Sequence, residues 1–321
     1  MKRIGVLTSG GDTPGMNAAI RAVFKTGVDI DLQVMGIYHG YKGLIEGRVG
    51  YLAHADVESK MHKGGTILRT ARSEEFKTEG GIEKAISVLR AYEIEGLIVI
   101  GGDGSFKGAD ALSKRGIPVI GIPGTIDNDM GYTDFTIGFD TAVNNVMNEI
   151  YKIRDTMRAH DRVGVIEVMG RRCGDIALWA GVAGAADIIL VPERPLSWAD
   201  AANRLAANKL RGQLTSIVMI AEGAGKAEDF CEYVRKYTDV EIKATVLGYI
   251  QRGGNPSAFD RVLAAKMGQR AVELLADEAH MRGTDRIREN RIISVPLAEA
   301  VSTRDCFDDK LYDLNSVMAK F

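Results

Sequence analysis

The sequence predicts an α/β protein with mainly parallel sheets, and two observations carry that prediction. Short runs rich in Val, Ile and Leu end in glycine clusters and pass into helical patterns, as when parallel strands are joined by crossover helices. The chain is also rich in glycine (37) and poor in proline (7), with the glycines gathered at the ends of those runs. Its 321 residues are enough for two domains of ordinary size.

The elements follow in order. Arg3–Ser9 reads as a strand, closed by Gly10-Gly11-Asp12-Thr13-Pro14-Gly15, with a helical pattern from Met16. Gly96–Ile100 repeats the arrangement and runs into Gly101-Gly102-Asp103-Gly104-Ser105 and another helix. The next strand ends in Pro123-Gly124-Thr125-Ile126-Asp127-Asn128-Asp129. From about Ile137 to His160, Phe139, Val143, Val146, Ile150, Ile153 and Met157 recur at helical spacing, which predicts one long helix connecting two α/β units. Val163–Val168 leads into Met169-Gly170-Arg171-Arg172-Cys173-Gly174, and Ile217–Ala221 into Glu222-Gly223. The stretch from Ala276 to Asn290 lacks clear periodicity and reads as a connection to a strand at Ile292.

Composition narrows the function. Lys plus Arg (41) against Asp plus Glu (43) gives a net charge of −2, which argues against a nucleic-acid or membrane binder, since those need a positive field. The apolar runs are strand-length, far short of the roughly 18 residues of a membrane span. Met-Lys-Arg leads straight into Ile4 with no apolar leader, and Cys173, Cys231 and Cys306 are scattered without a CxxC pair. A cytoplasmic protein with reduced thiols is expected. The five histidines stand apart, without metal-ligand spacing, so no zinc site is expected.

In such folds ligands sit at the carboxyl ends of the strands, so the glycine loops are the candidate sites. Gly10–Gly15 is neither a dinucleotide fingerprint nor a Walker loop, yet small residues ahead of a helix N-terminus suit an anion. A tight structural turn is the alternative. Gly223-Ala224-Gly225-Lys226 fails as a Walker loop, because Ile220 and Ala227 stand where Gly and Ser/Thr are needed. Gly101–Ser105 would let a phosphate chain lie on bare backbone, with Asp103 able to hold Mg²⁺. Asp127 and Asp129 suit a general base beside a metal-holding or orienting acid, against a reading of Asp-Asn-Asp as plain turn chemistry. Arg72, Arg162, Arg171 with Arg172, and Arg252 sit in or beside these loops, and guanidinium forks match phosphate oxygens. Each alone reads first as a surface or salt-bridged arginine; together they point to a polyphosphate or phosphosugar.

These motifs make the sequence resemble the bacterial ATP-dependent 6-phosphofructokinases over nearly the whole chain. The resemblance rests on Leu7–Asn17, Gly101–Ser105, Pro123–Asp129, Met169–Arg171 with Gly174-Asp175, and Gln251–Gly254. It implies two Rossmann-like three-layer α/β domains with mainly parallel sheets and the active site in the cleft between them. One domain (1–138 plus about 256–305) would bind ATP. The other (139–255 plus about 306–321) would bind fructose 6-phosphate. It further implies Asp127 as the base on the sugar 1-hydroxyl, Asp103 with Asp129 on Mg²⁺, and Gly11, Arg72, Thr125 and Arg171 on the transferring phosphoryl group. Ser73, Gly102, Gly104, Ser105 and Gly108 would line ATP together with Gly11, Arg72 and Asp103. Ile126, Met169, Gly170 and Glu222 would line the sugar. Arg252, with Arg162 and Lys243 from a neighbouring subunit of a homotetramer, would grip the 6-phosphate.

Two departures fall in that grip: Lys243 where the family usually has Arg, and Tyr249 where it usually has His. Lysine loses the bidentate fork and tyrosine is never cationic near neutral pH, so weaker fructose 6-phosphate affinity is expected with the chemistry intact. The family's effector site for ADP and phosphoenolpyruvate is matched by Arg21, Lys25, Arg154, Asp187 and Arg211. It is thinner at His54, Gln213 and Thr215, where basic residues are common, so a weak response is expected. A pyrophosphate-dependent relative usually has Asp and Lys where this chain has Gly104 and Gly124, which favours ATP here. The other readings weighed are a lipid or dinucleotide kinase, which does not account for Pro123–Asp129; a dinucleotide-binding oxidoreductase, for which the fingerprint is missing; and a catalytically silent metabolite sensor, against which the intact acids and arginines speak.

Overall fold

The computed structural model of the chain describes residues 1–277, 282–289, 291–302 and 307–319. They pack into two units. The first is Met1–Ile126, Met130–Thr141 and Arg252–Cys306; the second is Asp127–Asp129, Ala142–Gln251 and Phe307–Phe321. The packing boundaries therefore stand a few residues from those expected, and the short Asp127–Asp129 segment packs with the second unit.

The first unit contains β1 (Arg3–Ser9), α1 (Met16–Asp29), β2 (Gln33–Ile37), α2 (Gly40–Ile45), β3 (Val49–Tyr51), α3 (His54–Val57), α4 (Glu79–Ala91), β4 (Gly96–Gly101), α5 (Asp103–Ser113) and β5 (Val119–Pro123). The helix α6 (Phe139–Ala159) begins in this unit and continues into the second, which adds β6 (Val163–Val168), α7 (Asp175–Ala183), β7 (Ile188–Leu190), α8 (Trp198–Leu210), β8 (Ser216–Ala221), α9 (Ala227–Tyr237) and β9 (Ile242–Val246). The chain returns to the first unit for α10 (Ala258–Ala276), β10 (Arg282–Arg288), β11 (Arg291–Val295) and α11 (Leu297–Ser302), and ends in the second with α12 (Asp309–Met318).

The first sheet has seven strands in the order β11-β10-β5-β4-β1-β2-β3, parallel except at its two ends. Its strands alternate sides, as a sheet buried on both faces requires. Ile4, Val6, Ile98, Ile100, Ile120 and Ile122 pack with α1 and α10 on one face. Leu7, Leu97, Val99 and Val119 pack with α2, α4, α5 and α11 on the other. This unit is thus three-layered. The second sheet is all parallel, in the order β7-β8-β6-β9. Val163, Val165, Val218, Ile220 and Ile242 meet α8 and α9 on one face. On the other face α6 and α7 come close, with Met157 and Ile153 against Gly164, and Gly181 of α7 against Ile189 and Met219. The predicted strands and the long helix are present.

One assignment is corrected. The stretch 276–290 is not merely a connection: Arg282–Arg288 is a strand paired parallel to β5 and antiparallel to β11. Its sequence, RGTDRIR, is too charged to carry an apolar alternation, so pairing and not pattern makes it a strand. Within that stretch 278–281 and 290 lie outside the described residues, as does Cys306. Cys173 and Cys231 are buried. No described helix is long and apolar enough to cross a membrane.

Candidate functional site

Strand register brings the starts of the first three loops together. Ser9 pairs with Gly101, and Gly101 with Pro123, so β1, β4 and β5 end level. Chain order reverses between β1 and β4, since β2 lies on the other side of β1, and the crevice at such a switch point is where open α/β sheets bind ligands. Gly10 and Gly15 take φ of 88° and 105°, which side chains resist, and Gly15 leads into α1 without a side-chain cap. A Cβ at Gly101 would meet Ser105 Oγ and the Ser9 carbonyl at 2.5 Å, so that position is closed to anything but glycine. Gly102 begins α5, also without a side-chain cap. Ser105 Oγ is buried with no hydrogen-bond partner among the described residues, an orphaned donor beside a bare helix N-terminus.

Arg72 is exposed, and hydrogen bonds tie its stretch to the first loop. Thr70 Oγ1 donates to the Gly10 carbonyl at 2.7 Å, and Thr8 Oγ1 to the Arg69 carbonyl at 2.9 Å. The Ser73 hydroxyl accepts from the Phe76 N–H. Gly108 lies against the ring of Tyr41, whose hydroxyl donates to the Ser105 carbonyl at 2.6 Å. Asp103 is half-buried and paired with Lys107 Nζ at 2.8 Å, an i,i+4 contact within α5. Thr125 follows β5, and its carbonyl accepts from Thr136 Oγ1 at 2.7 Å; Ile126 is buried. The resemblance places Arg252 among the sugar-phosphate residues. Here its guanidinium lies against Gly11, where a Cβ would collide with it, and Nη1 donates to the Asp12 carbonyl at 3.3 Å.

The second unit gathers another set. Val168 pairs with Ala221, so the loops opened by Met169 and Glu222 start side by side. Gly170 takes φ of 129°, and its carbonyl accepts from Gly223 N–H at 3.1 Å. Buried Gln251 joins in, its Oε1 accepting from Met169 N–H at 3.0 Å. Arg171 and Glu222 are exposed in these loops. Arg162 and Lys243 are not brought to this end. Arg162 precedes β6 and pairs with Glu241 at 2.6 Å, and Lys243 pairs with Gly164, so both lie at the sheet's amino edge. Six residues of β6 separate the ends, about 17 Å at the usual strand rise. Tyr249 is 83 % exposed in a 3-10 turn.

Asp127, Asn128 and Asp129 belong to this unit, and Asn128 has φ of 52°. Asp175 sits at the start of α7. Burial pushes its carboxyl up to about 6, with Glu193 and Asp308 adding to the rise and hydrogen bonds from Asn128 and Cys173 opposing it. Sequence reasoning noted Asp175 only within a motif. In the first unit it missed Asp260, fully buried, which accepts from the Gly138 and Thr141 N–H groups and so anchors the start of α6. Burial holds Asp260 up at about 6, against hydrogen bonds from Thr141 and Gly138.

The residues matched to an effector site divide between the units. Lys25 contacts His54 Nδ1 at 3.0 Å and Glu58 at 3.5 Å, with Arg21 one turn before it on α1. In the second unit Arg154 donates to the Gly184 and Ala185 carbonyls, and Asp187 accepts from Gln213 and from Ile217 N–H. Arg211 ends α8 and is exposed.

Comparison with known proteins covers the same loops. A family profile described as phosphofructokinase matches residues 3–275. An ATP-dependent 6-phosphofructokinase of Clostridium novyi is 51 % identical over 99 % of this chain and 100 % of its own. One of Clostridium tetani is 53 % identical over the same shares. Phosphofructokinase from Saccharomyces cerevisiae superposes with a TM-score of 0.87 at 37 % identity, covering 94 % of this chain and 45 % of the yeast chain. A pyrophosphate-dependent phosphofructokinase from Marinobacter aquaeolei shares the fold, with a TM-score of 0.86 at 23 % identity over 96 % of this chain and 86 % of its own. Matched by the profile over most of its length and by relatives about half identical from end to end, the chain belongs to the phosphofructokinase family.

Proposed function

We propose that this chain transfers the γ-phosphoryl group of ATP to the 1-hydroxyl of fructose 6-phosphate, giving fructose 1,6-bisphosphate and ADP, the committed step of glycolysis. The observation that carries the reading is the level ending of β1, β4 and β5, which sets two uncapped helix N-termini and the start of the loop after Pro123 at one switch point. The names of the half-identical relatives agree with it.

The two units divide the work. The first is the ATP-binding domain: Gly11, Gly102, Gly104, Ser105 and Gly108 take the nucleotide on bare backbone, and the orphaned Ser105 hydroxyl is a donor in want of an acceptor. Arg72 and Ser73 close over the phosphates. The second is the fructose 6-phosphate domain: Met169, Gly170 and Glu222 hold the sugar, with Glu222 accepting its hydroxyls. Asp127 takes the proton from the 1-hydroxyl as its oxygen attacks the γ-phosphorus. Arg171, Arg72, Thr125 and the Gly11 N–H neutralise the charge spreading over the transferring oxygens. Such catalysis is positioning plus electrostatic stabilisation, which suits amides and guanidinium groups.

Mg²⁺ would be held by Asp103 and Asp129 and would supply charge neutralisation on the phosphates. Among the described residues no cluster of three His, Cys, Asp or Glu forms a metal cage. That fits Mg²⁺ in kinases, which takes one or two carboxylates and fills its shell with water and phosphate. Binding it would take the Asp103 carboxylate from Lys107.

The sugar 6-phosphate falls to Arg162, Lys243, Tyr249 and Arg252. A homotetramer with shared substrate sites is supported by the placement of Arg162 and Lys243 at the amino edge of the sheet, at the opposite end of β6 from the Met169–Glu222 loops. ADP and phosphoenolpyruvate are the effectors proposed for Arg21, Lys25, Arg154, Asp187, Arg211 and Gln213. A cytoplasmic location accords with the reaction.

The test is fructose 1,6-bisphosphate formation with ATP and pyrophosphate run in parallel, alongside Asp127→Ser. Turnover with ATP alone, lost in the variant, is the expected result. Turnover with pyrophosphate would overturn the donor assignment, and none with either would leave a metabolite sensor.

A further inference from the structure

Asp127 and Asp129 flank the residue at which the backbone is bent. Asn128 adopts φ of 52°, in the left-handed region that costs most residues about 1 kcal/mol or more and that Asn tolerates better than others. Its side chain is turned inward: the residue is 4 % exposed, and Nδ2 donates to Asp175 Oδ2 at 2.9 Å. Asp175 is 2 % exposed and is the first residue of α7, where the helix dipole favours a carboxylate. The residue before it is pinned in turn, since Gly174 N–H donates to Glu193 Oε1 at 2.8 Å.

A carboxylate buried at this cost needs a reason, since an apolar side chain would fill the same space more cheaply. The Asn128–Asp175 hydrogen bond shows what the burial achieves: it holds the middle of the Asp-Asn-Asp segment. The relative orientation of the two outer carboxylates depends on the φ and ψ of the residue between them. A rigid helix terminus is a better fixture for those angles than a loop would be by itself.

We propose that Asp175 is a positioning residue for phosphoryl transfer: through the amide of Asn128 it fixes the left-handed bend that sets Asp127 and Asp129 in their working orientation. The inference rests on the proposed role of Asp127 as the base. It assigns Asp175 no contact with substrate.

The experiment compares Asp175→Ala, Asp175→Asn, Asn128→Gly and the Asn128→Gly/Asp175→Ala double variant in the full chain. It measures kcat, KM for each substrate and melting temperature, and adds a crystal structure of Asp175→Ala. Misplacing a reacting group by about 1 Å costs on the order of 10² in rate, and that is the loss of kcat expected for Asp175→Ala, with KM for ATP nearly unchanged. Asp175→Asn, whose amide oxygen still accepts from Asn128, restores most of the rate. The double variant is no slower than the slower single variant, because both break one link. A folded Asp175→Ala with wild-type kcat, losses that multiply in the double variant, or an unchanged 127–129 backbone in the crystal would each overturn the proposal. If Asp175→Ala does not fold, Asn128→Gly decides. It keeps the bend accessible and removes the amide that Asp175 holds, so a fall in kcat at constant KM for ATP supports the proposal and an unchanged kcat refutes it. Should the wild type show no turnover, the kinase reading falls, and the crystal structure alone decides whether Asp175 holds the bend.

Discussion

Gly104 is the second residue of α5, and a Cβ built on it meets no atom within 4 Å. Gly104→Asp therefore adds a carboxylate at a helix N-terminus without displacing anything. Asp outranks Gly as a helix former, and a negative charge in the first turn is worth about 0.3–1 kcal/mol, so folding is left unharmed or slightly improved. Nucleotide binding is another matter. A new negative charge about 5 Å from a phosphate charge, at an effective dielectric constant of about 20, repels it by about 3 kcal/mol. That corresponds to a rise in KM for ATP on the order of 10². The assay is initial rate against ATP at saturating fructose 6-phosphate, with pyrophosphate in parallel and a melting curve for each variant. Gly104→Ala, which fills the same open space without charge, serves as control and should change KM little. If Gly104→Asp melts like the wild type and its KM for ATP stays within about threefold, the phosphates do not pass Gly104 and the argument fails. Gly124 is a poorer place to ask the question, because a Cβ there already meets Ile100 Cγ2 at 3.3 Å.

Other outcomes follow from the same structure. Lys243→Arg with Tyr249→His should lower KM for fructose 6-phosphate with little change in kcat or melting temperature, since both side chains are exposed; an unchanged KM would place the phosphate grip elsewhere. Gly108→Ala should lower the melting temperature, at a cost of about 1–3 kcal/mol, because its Cβ would lie 2.7 Å from the buried Tyr41 ring, which is itself stacked on Phe76; wild-type melting would show that the ring can move aside. Burial pushes Asp285 from 3.8 up to about 8, so its contribution to stability is present below pH 4 and lost as pH rises through 8. Asp285→Asn should therefore melt above the wild type at pH 8, with the difference closing towards pH 4; a gap of the opposite sign at pH 8 would refute the burial argument. Millimolar phosphoenolpyruvate should shift the substrate curve only weakly, and a large shift would show that Gln213 and His54 do not thin the effector site.

The loops that matter were legible because glycine is conspicuous where a strand ends and a helix begins. What the sequence could not display was long-range pairing. The strand Arg282–Arg288 is defined by its neighbours β5 and β11 and not by any pattern of its own. Asp260 reads as a first-turn acid, with Ser257 capping its N–H at 3.2 Å, and such an acid normally faces water. It is buried because two N–H groups more than a hundred residues earlier need an acceptor. Asp175 was hidden in the same way, as its partner Asn128 lies 47 residues upstream. The resemblance assigned Arg252 to the sugar phosphate, and nothing local could reveal that its guanidinium rests on Gly11.

The return of the chain to its first unit has a consequence during synthesis. Helix α10 covers the sheet face that α1 shares, with Gly268 pressed close enough to Ala22 and the Ala19 carbonyl that no larger residue fits, and β10 shields the edge of β5. Neither exists until the ribosome has made the whole span 142–251. At ordinary elongation rates the nascent first unit waits on the order of ten seconds with that apolar face covered by α1 but not α10 and the edge of β5 unpaired. Truncated chains that stop before Ala258 keep both defects for good. A stalled ribosome on this message would thus release a sticky sheet of five strands out of seven, and the unit begun first is the one the cell must guard longest.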